Sequence, residues 1–511
     1  MSSRRAEPDQ TAPGARAARR HPLRTGALLV VLALPLTACE NEVVGGSAPE
    51  QLTVLADEAG EGISEWRGGA DDFTDHPYEP EGVEISVAYP EFEGAEAFSE
   101  ALAARVDQEV QDFRAGTRDP VGLDIAWELV AAGGGVLGVR LVQTEQDMHG
   151  LREAYSTYWY DARAGAAAFS TELLAGQEEL AELNTIVREE LAGDGDVDPE
   201  ALWPVLRTYD SIGFNGSGDL VVEFDDGHLS PIVDEHVPDS GPGRKTVVVG
   251  HERAEPLLSD LGSRAREAAL VEEPDLALPG ADGADEEAEA AQPPGVVIAG
   301  DPEVDCYDGE TKCVALTFDD GPVEATPHLL DLLAEEEVTA SFFLNGGPVL
   351  TRPSVLRRAY AEGHEVASHG DEHEHMNKMA AEDLAGQTAA VSAMVRRQTG
   401  HTVELFRPPF GATDEAVHEV IADQDMAEVA WTMDSQDWKG IDRDEIVDNV
   451  LTRIEPGAVV LMHDPQPATL AAVPEIIERL RELDYVFVTS SQAIGGPEPG
   501  NVYPPDWDGN W

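Results

Sequence analysis

The chain has 511 residues, a formal net charge of −67 and an apolar fraction of 42%. That length and apolar content suffice for two hydrophobic cores, so two globular domains are expected. So acidic a surface repels phosphate backbones and anionic lipid, which excludes nucleic-acid binding as a principal task.

Residues 1–38 read as a secretion signal. Arg16, Arg19, Arg20 and Arg24 precede the apolar run Gly26–Leu34, and Leu36-Thr37-Ala38-Cys39 follows. The run is too short to span a bilayer. Its Leu-Thr-Ala-Cys ending resembles a bacterial lipobox, in which Cys39 is acylated and becomes the new N-terminus. An ordinary signal peptide is the alternative, and the Arg-Arg pairs leave Sec or twin-arginine export open. The leader carries a net +4, which leaves −71 for the rest. Lys245, Lys312, Lys378 and Lys439 are the four lysines, so arginine supplies nearly all the positive charge. That surface suits high salt, where self-repulsion is screened, or serves solubility alone. The expected location is extracytoplasmic, lipid-anchored to the outer face of the cell membrane.

Residues 39–50 are a polar tether. From 51 to 270, strand-like runs (Val83–Tyr89, Val136–Val142, Leu220–Phe224, Thr246–Val249) alternate with amphipathic helical stretches (Ala95–Phe113, Thr171–Leu191), which reads as an α+β domain. Residues 271–303, acidic and rich in Pro and Ala, open with a stretch too poor in large apolar groups to order itself and form a self-repelling linker. From 304 to 495, strands (Val314–Phe318, Ala340–Phe343, Ala458–Met462) alternate with helices (Pro327–Glu336, Glu382–Gln398), which argues for a parallel β/α architecture. Residues 496–511 read as a tail. Cys306 and Cys313 stand seven apart before the first strand of this region. In an oxidising compartment they are most simply a disulfide contributing about 2–3 kcal/mol, with a metal pair the weaker alternative.

Five short motifs follow in order within this last region. Thr317-Phe318-Asp319-Asp320-Gly321-Pro322 ends a strand, where two adjacent carboxylates leave in different directions and can divide metal ligation from proton transfer. His369 and His373 are spaced i, i+4; if that segment is helical, both imidazoles face one cation, with His375 a nearby competitor. With Asp320 they make a His-His-Asp set suited to Zn²⁺, with Co²⁺ or another divalent cation as alternatives. Arg407-Pro408-Pro409-Phe410-Gly411 is a stiff loop whose guanidinium can orient Asp319 and whose Phe410 N–H can donate to an oxyanion. Asp437-Trp438 offers a carboxylate for His463, which ends the strand Ala458–Met462 and can act as a general acid.

Motifs and order together resemble the NodB-homology domain of carbohydrate esterase family 4, the polysaccharide deacetylases, over about residues 304–495. The phrases Ala340-Ser-Phe-Phe343, Gly363-His-Glu-Val366 and Trp431-Thr-Met-Asp434 fit as well. The resemblance implies a distorted (β/α) barrel that removes acetyl groups from a glycan. Asp319 would be the base, Asp320, His369 and His373 the metal ligands, and His463 the acid. Arg407 and Asp437 would tune them, while Trp438 and Leu461 line the acetyl pocket. Two positions depart from the pattern: Gly370 stands where the family usually has Ser or Thr, and Phe410 where it commonly has Tyr.

In the front domain, Tyr89–Gly94, Tyr160–Gly165 and Phe224–Pro231 look like the extracellular domain of lysozyme-sensing anti-sigma factors, which also precedes the deacetylase in some peptidoglycan deacetylases. A glycan- or protein-binding role, or that of a spacer, is expected for it. The expected activity is deacetylation of cell-wall peptidoglycan. Xylan, chitin-type or another wall polysaccharide, and a non-catalytic surface sensor, remain the alternatives; the oligomeric state is left open.

Overall fold

The computed structural model describes residues 51–73, 82–147, 150–225, 229, 244–278, 292–505 and 507. The leader, Cys39 and the tether lie outside the described residues, as do residues 279–291 of the linker and most of the Phe224–Pro231 stretch. No helix among the described residues is long and apolar enough to cross a membrane.

The front domain builds two sheets. In the first, β1 (Ile63–Gly69), β2 (Glu84–Phe92), β3 (Pro120–Gly133), β4 (Val136–Asp147), β5 (Gly150–Asp161) and β6 (Ala166–Phe169) pair in chain order. All neighbours are antiparallel except β2 and β3, which need a crossover and receive the helix Glu96–Gly116. Phe98, Leu102, Val106, Val110 and Phe113 recur on one face of that helix and are fully buried against the sheet. The second sheet is β7 (Ser211–Phe214), β8 (Leu220–Phe224) and β9 (Lys245–Val249), packed with the helices Gln177–Leu191 and Asp260–Ala269 around a separate core.

In the C-terminal region nine strands form one parallel, curled sheet. Its order is β15 (Met433–Asp434), β16 (Ala458–His463), β10 (Lys312–Gly321), β11 (Ser341–Leu344), β12 (Glu365–Ser368), β13 (Leu405–Phe406), β14 (Ala427–Val429) and β18 (Val502–Tyr503). β17 (Tyr485–Val488) joins the first half of β10. Val314, Leu316 and Phe318 point outward into the main helix-covered core. The period of two turns Thr317 and Asp319 to the opposite, inner face. Helices Thr326–Glu335, Pro353–Ala361, Ala381–Thr399, Arg443–Arg453 and Pro467–Glu482 cover the outside. This is the α/β barrel-like sheet expected from the alternation of elements, with element ends displaced by one to a few residues.

Two stretches differ from the sequence reading. Residues 502–503, read as part of a tail, complete the sheet edge: the Glu428 N–H donates to Asn501 O at 2.9 Å and the Ala430 N–H to Tyr503 O at 2.8 Å. A two-residue strand followed by Pro504 and Pro505 carries no alternation to betray it. The end of the linker is also tied down, since Gly295 N–H donates to Gln177 Oε1 at 2.7 Å and Val297 N–H to the Tyr360 hydroxyl at 2.9 Å. The cysteines behave as expected: Cys306 and Cys313 are disulfide-bonded, with Cα atoms 5.6 Å apart.

Candidate active site

The motif residues meet at the C-terminal ends of β10, β12, β13 and β16, the edge where parallel β/α folds gather their chemistry. Asp319 lies in register with His463 on the neighbouring strand. At Asp320 the β10–β11 register slips by one residue, and its backbone is left-handed at φ 75°. Such a bulge re-aims a side chain at the expense of local strain. Here it separates two consecutive carboxylates into two environments.

Asp319 is buried. Its Oδ1 accepts Arg407 Nη1 at 2.7 Å, and its Oδ2 lies 3.8 Å from His369 Nε2. Burial pushes its carboxyl above the usual range, opposed by the Arg407 guanidinium and His463. Arg407 is itself fully buried, and all three of its guanidinium nitrogens donate. It donates to Thr317 Oγ1 and Asp319, to Val429 O at 3.0 Å and to Ala430 O at 2.9 Å, over the Phe343 ring at 3.8 Å. A guanidinium bonded on every side fixes the Asp319 rotamer.

Asp320 Oδ1 is 3.6 Å from His369 Nε2 and 3.4 Å from His373 Nε2, and the three ligand atoms lie within 4.8 Å of one another. Ligands of a tetrahedral Zn²⁺ stand roughly 3.3 Å apart. Asp320 Oδ1 is buried and accepts no hydrogen bond, an arrangement that is unfavourable unless a cation is meant to sit there. His369 has its Nδ1 within 2.7 Å of Arg407 O, which leaves Nε2 for the cluster. Burial, against the pull of Asp320, lowers the His369 pKa to about 3, so the imidazole is neutral as a metal ligand must be. The donor set fits a divalent ion.

The spacing that suggested a helix through His369 and His373 is carried instead by a loop. Gly370 has φ 80°, and a Cβ on it would collide with Met376 Cε. The left-handed turn favours glycine, and Ser or Thr there would also have to displace the Met376 methyl. His375 stays outside the cluster and stacks on Phe410 at 4.3 Å. Phe410 in turn meets the edge of His373 at 4.3 Å. Its backbone is left-handed at φ 60° and its side chain is exposed.

His463 is mostly buried at the end of β16. Its Nδ1 lies 2.8 Å from Asp437 Oδ1, and its N–H donates to Asp437 Oδ2 at 2.7 Å. Thr469 Oγ1 and the Trp438 N–H also donate to that carboxylate. Burial alone would lower the His463 pKa, but the Asp437 hydrogen bond and charge outweigh it, and with Asp319 and Asp320 they push it up to about 9. Leu461 is buried with Ala430, Trp431 and Trp507, whereas Trp438 is exposed.

Sequence reasoning missed Asp464. It is fully buried beside His463, accepts Thr326 Oγ1 at 2.6 Å, and is pushed by burial up to about 7. Gly321 has no Cβ because Asp464 occupies that space. The residue is adjacent to a motif, yet its contact with Thr326 is visible only in three dimensions. His364 is a core histidine, accepting the Ala340 N–H at 3.1 Å.

The sequence model of the family described as polysaccharide deacetylase matches residues 307–429. A chitooligosaccharide deacetylase of Sinorhizobium fredii is 34% identical over 189 residues, which are 34% of this chain and 88% of that protein. The chain belongs to the polysaccharide deacetylase family. Other relatives in the family are longer. A peptidoglycan-N-acetylglucosamine deacetylase of Listeria monocytogenes is 35% identical over 185 residues, 36% of this chain and 39% of that protein. A peptidoglycan-N-acetylmuramic acid deacetylase of Bacillus subtilis is 32% identical over 192 residues, 37% of this chain and 40% of that protein. The chain thus spans about two-fifths of the length of these two curated relatives. The family match falls on the C-terminal region, and the front domain lies outside it.

Proposed function

We propose that this chain is a metal-dependent hydrolase that removes N-acetyl groups from the sugars of cell-wall peptidoglycan. The observation that carries the reading is the convergence of Asp320, His369 and His373 ligand atoms beside a second carboxylate, Asp319, clamped by Arg407. Asp320, His369 and His373 would hold the ion, Zn²⁺ by donor type, with Co²⁺ or another divalent cation as substitutes. A bound cation would supply Lewis acidity toward the acyl oxygen and the attacking water, and would favour the ionised form of Asp319.

The chain's own residues do the rest. Asp319, with Oδ1 tied to Arg407, accepts the proton of the attacking water at Oδ2. The Phe410 N–H donates to the developing oxyanion. His463, charged at neutral pH and donating from Nδ1 to Asp437, delivers the Nε2 proton to the departing sugar amine. Leu461 and Trp438 exclude water around the acetyl methyl.

Two of the relatives above are named for peptidoglycan, which favours that substrate. A chitin-type oligosaccharide is the second reading, favoured by the coverage of the S. fredii relative. The Cys306–Cys313 disulfide suits an oxidising compartment, in keeping with export and lipid anchoring at Cys39. The front domain would present or sense glycan or protein. The test is acetate release from purified peptidoglycan and from chitooligosaccharides, abolished in Asp319→Asn. Release from neither substrate by the wild-type, zinc-loaded chain would refute the proposal.

A further inference from the structure

We propose that Arg118, a front-domain residue outside the family match, is a positioning residue for the loop that carries His369 and His373; this rests on the metal-site reading above. Arg118 reaches across to the barrel and grips Asp371 with both ends of its fork, Nη2 donating to Oδ1 at 2.5 Å and Nη1 to Oδ2. Asp371 lies midway between the two histidines, two residues from each. Its side chain is only 7% exposed.

The barrel holds the backbone of this loop. Asn345 Nδ2 donates to His369 O and Gly370 O, both at 2.9 Å, and Asp371 N–H and Glu372 N–H donate to Gln387. The side chain of Asp371 is held from the other domain. A buried carboxylate deprived of its cation moves toward water, and the loop would move with it. The two histidines are not equally protected. His369 is tied through Nδ1 to Arg407 O, whereas His373 is exposed and rests edge-on against Phe410. Displacement of Asp371 therefore falls mainly on His373.

Arg118 is itself aimed by packing. The helix Glu96–Gly116 lies along the helix Ala381–Thr399, and Gly116 is so close that a Cβ would stand 3.1 Å from Ala393 Cβ. Asp112 accepts Arg396 at 2.6 Å, and Thr117 Oγ1 accepts Arg397 at 2.7 Å. Two fixed points one and six residues before Arg118 leave its side chain little choice of direction. The front domain thus becomes part of the catalytic unit rather than a spacer.

The experiment compares the full chain with Arg118→Ala, Arg118→Lys and Trp203→Ala. Zn²⁺ affinity is read by competition with a chromophoric chelator, and ligand geometry by the visible spectrum of the Co²⁺ form. Arg118→Ala should weaken Zn²⁺ binding about tenfold, the lower end of the range for residues that orient ligands, and alter the Co²⁺ bands. Arg118→Lys should recover part of both. Trp203→Ala removes a different contact of the front domain with the barrel, where its ring packs on the barrel core beneath Arg358, and should lower the melting temperature while leaving Zn²⁺ affinity unchanged. Wild-type affinity and Co²⁺ spectrum in Arg118→Ala overturn the proposal, as does equal weakening in Trp203→Ala. A wild-type chain that binds no divalent ion overturns the metal-site reading, and this proposal with it.

Discussion

Replacing Asp437 by Asn tests the acid half of the mechanism. His463 is held at about 9 against an ordinary value of 6.5, and the Asp437 carboxylate supplies most of what raises it. Asn keeps the volume and loses the charge. Burial, which favours neutral imidazole, then offsets the remaining pull of Asp319 and Asp320, so the His463 pKa should fall to about its ordinary value. At about pH 8 the protonated fraction would drop from about nine-tenths to about three-hundredths, a loss near 30-fold before any change in orientation. At about pH 5.5 both forms stay charged, and the loss shrinks to that of orientation. The assay is kcat/KM for acetate release across that range in wild type and Asp437→Asn. A wild-type to variant ratio that is constant across the range would refute the assignment of His463 as the acid. Folding is linked to the same pair. Because the folded pKa is raised, the stabilisation is complete below about 6.5 and is lost as pH rises through about 9; it amounts to roughly 3 kcal/mol. Asp437→Asn should therefore flatten that part of the stability profile in urea titrations.

Three further outcomes are expected. Asp320→Asn should weaken Zn²⁺ binding at least 100-fold by equilibrium dialysis and abolish acetate release, whereas chelation of the wild type should be reversed by added Zn²⁺. Gly370→Thr should lower stability by about 1–3 kcal/mol in denaturant melts, even though the family usually has a hydroxyl there. The left-handed φ of 80° and the Met376 methyl both oppose a side chain. Replacing Cys306 and Cys313 together by Ser should cost about 2–3 kcal/mol for a loop this short, with activity at room temperature unchanged. Equal stability of oxidised and reduced protein would contradict that estimate.

Much of the barrel could be read from the sequence because its chemistry is local. β10 reads as a buried strand ending in two aspartates, and β16 as one ending in histidine. A parallel sheet then brings strand ends to one rim without further information. The stiff Arg407-Pro408-Pro409 turn has the same property. The His369–His373 spacing suggested a helix, and the structure has a loop there. An i, i+4 pair fits a helix, but a glycine turn delivers the same two imidazoles, and Met376 filling the space of a missing Cβ leaves no periodic trace. The strand Val502–Tyr503 was hidden for a similar reason, since an edge strand of two residues is defined by its partner rather than by its own pattern.

What no local pattern could supply are the contacts that join residues 51–270 to the barrel. Arg118 and Asp371 are 253 residues apart, and Asp112 and Arg396 are 284 apart. Each arginine and carboxylate alone is indistinguishable from the many charged groups that give this chain its net −67. In a chain with 100 acidic residues against 33 basic ones, several arginine pairs bridge the front domain and the barrel, those of Arg118, Arg396 and Arg397 among them, each bonded to a mostly buried carboxylate. Surface pairs of this kind contribute little, but partly buried bidentate ones fix relative placement as well as adding energy. An interface built that way holds the front domain in register with the loop of the metal ligands. Added salt screens charges in open water far more than charges between packed helices, so this registry should persist at ionic strengths that silence the outer surface.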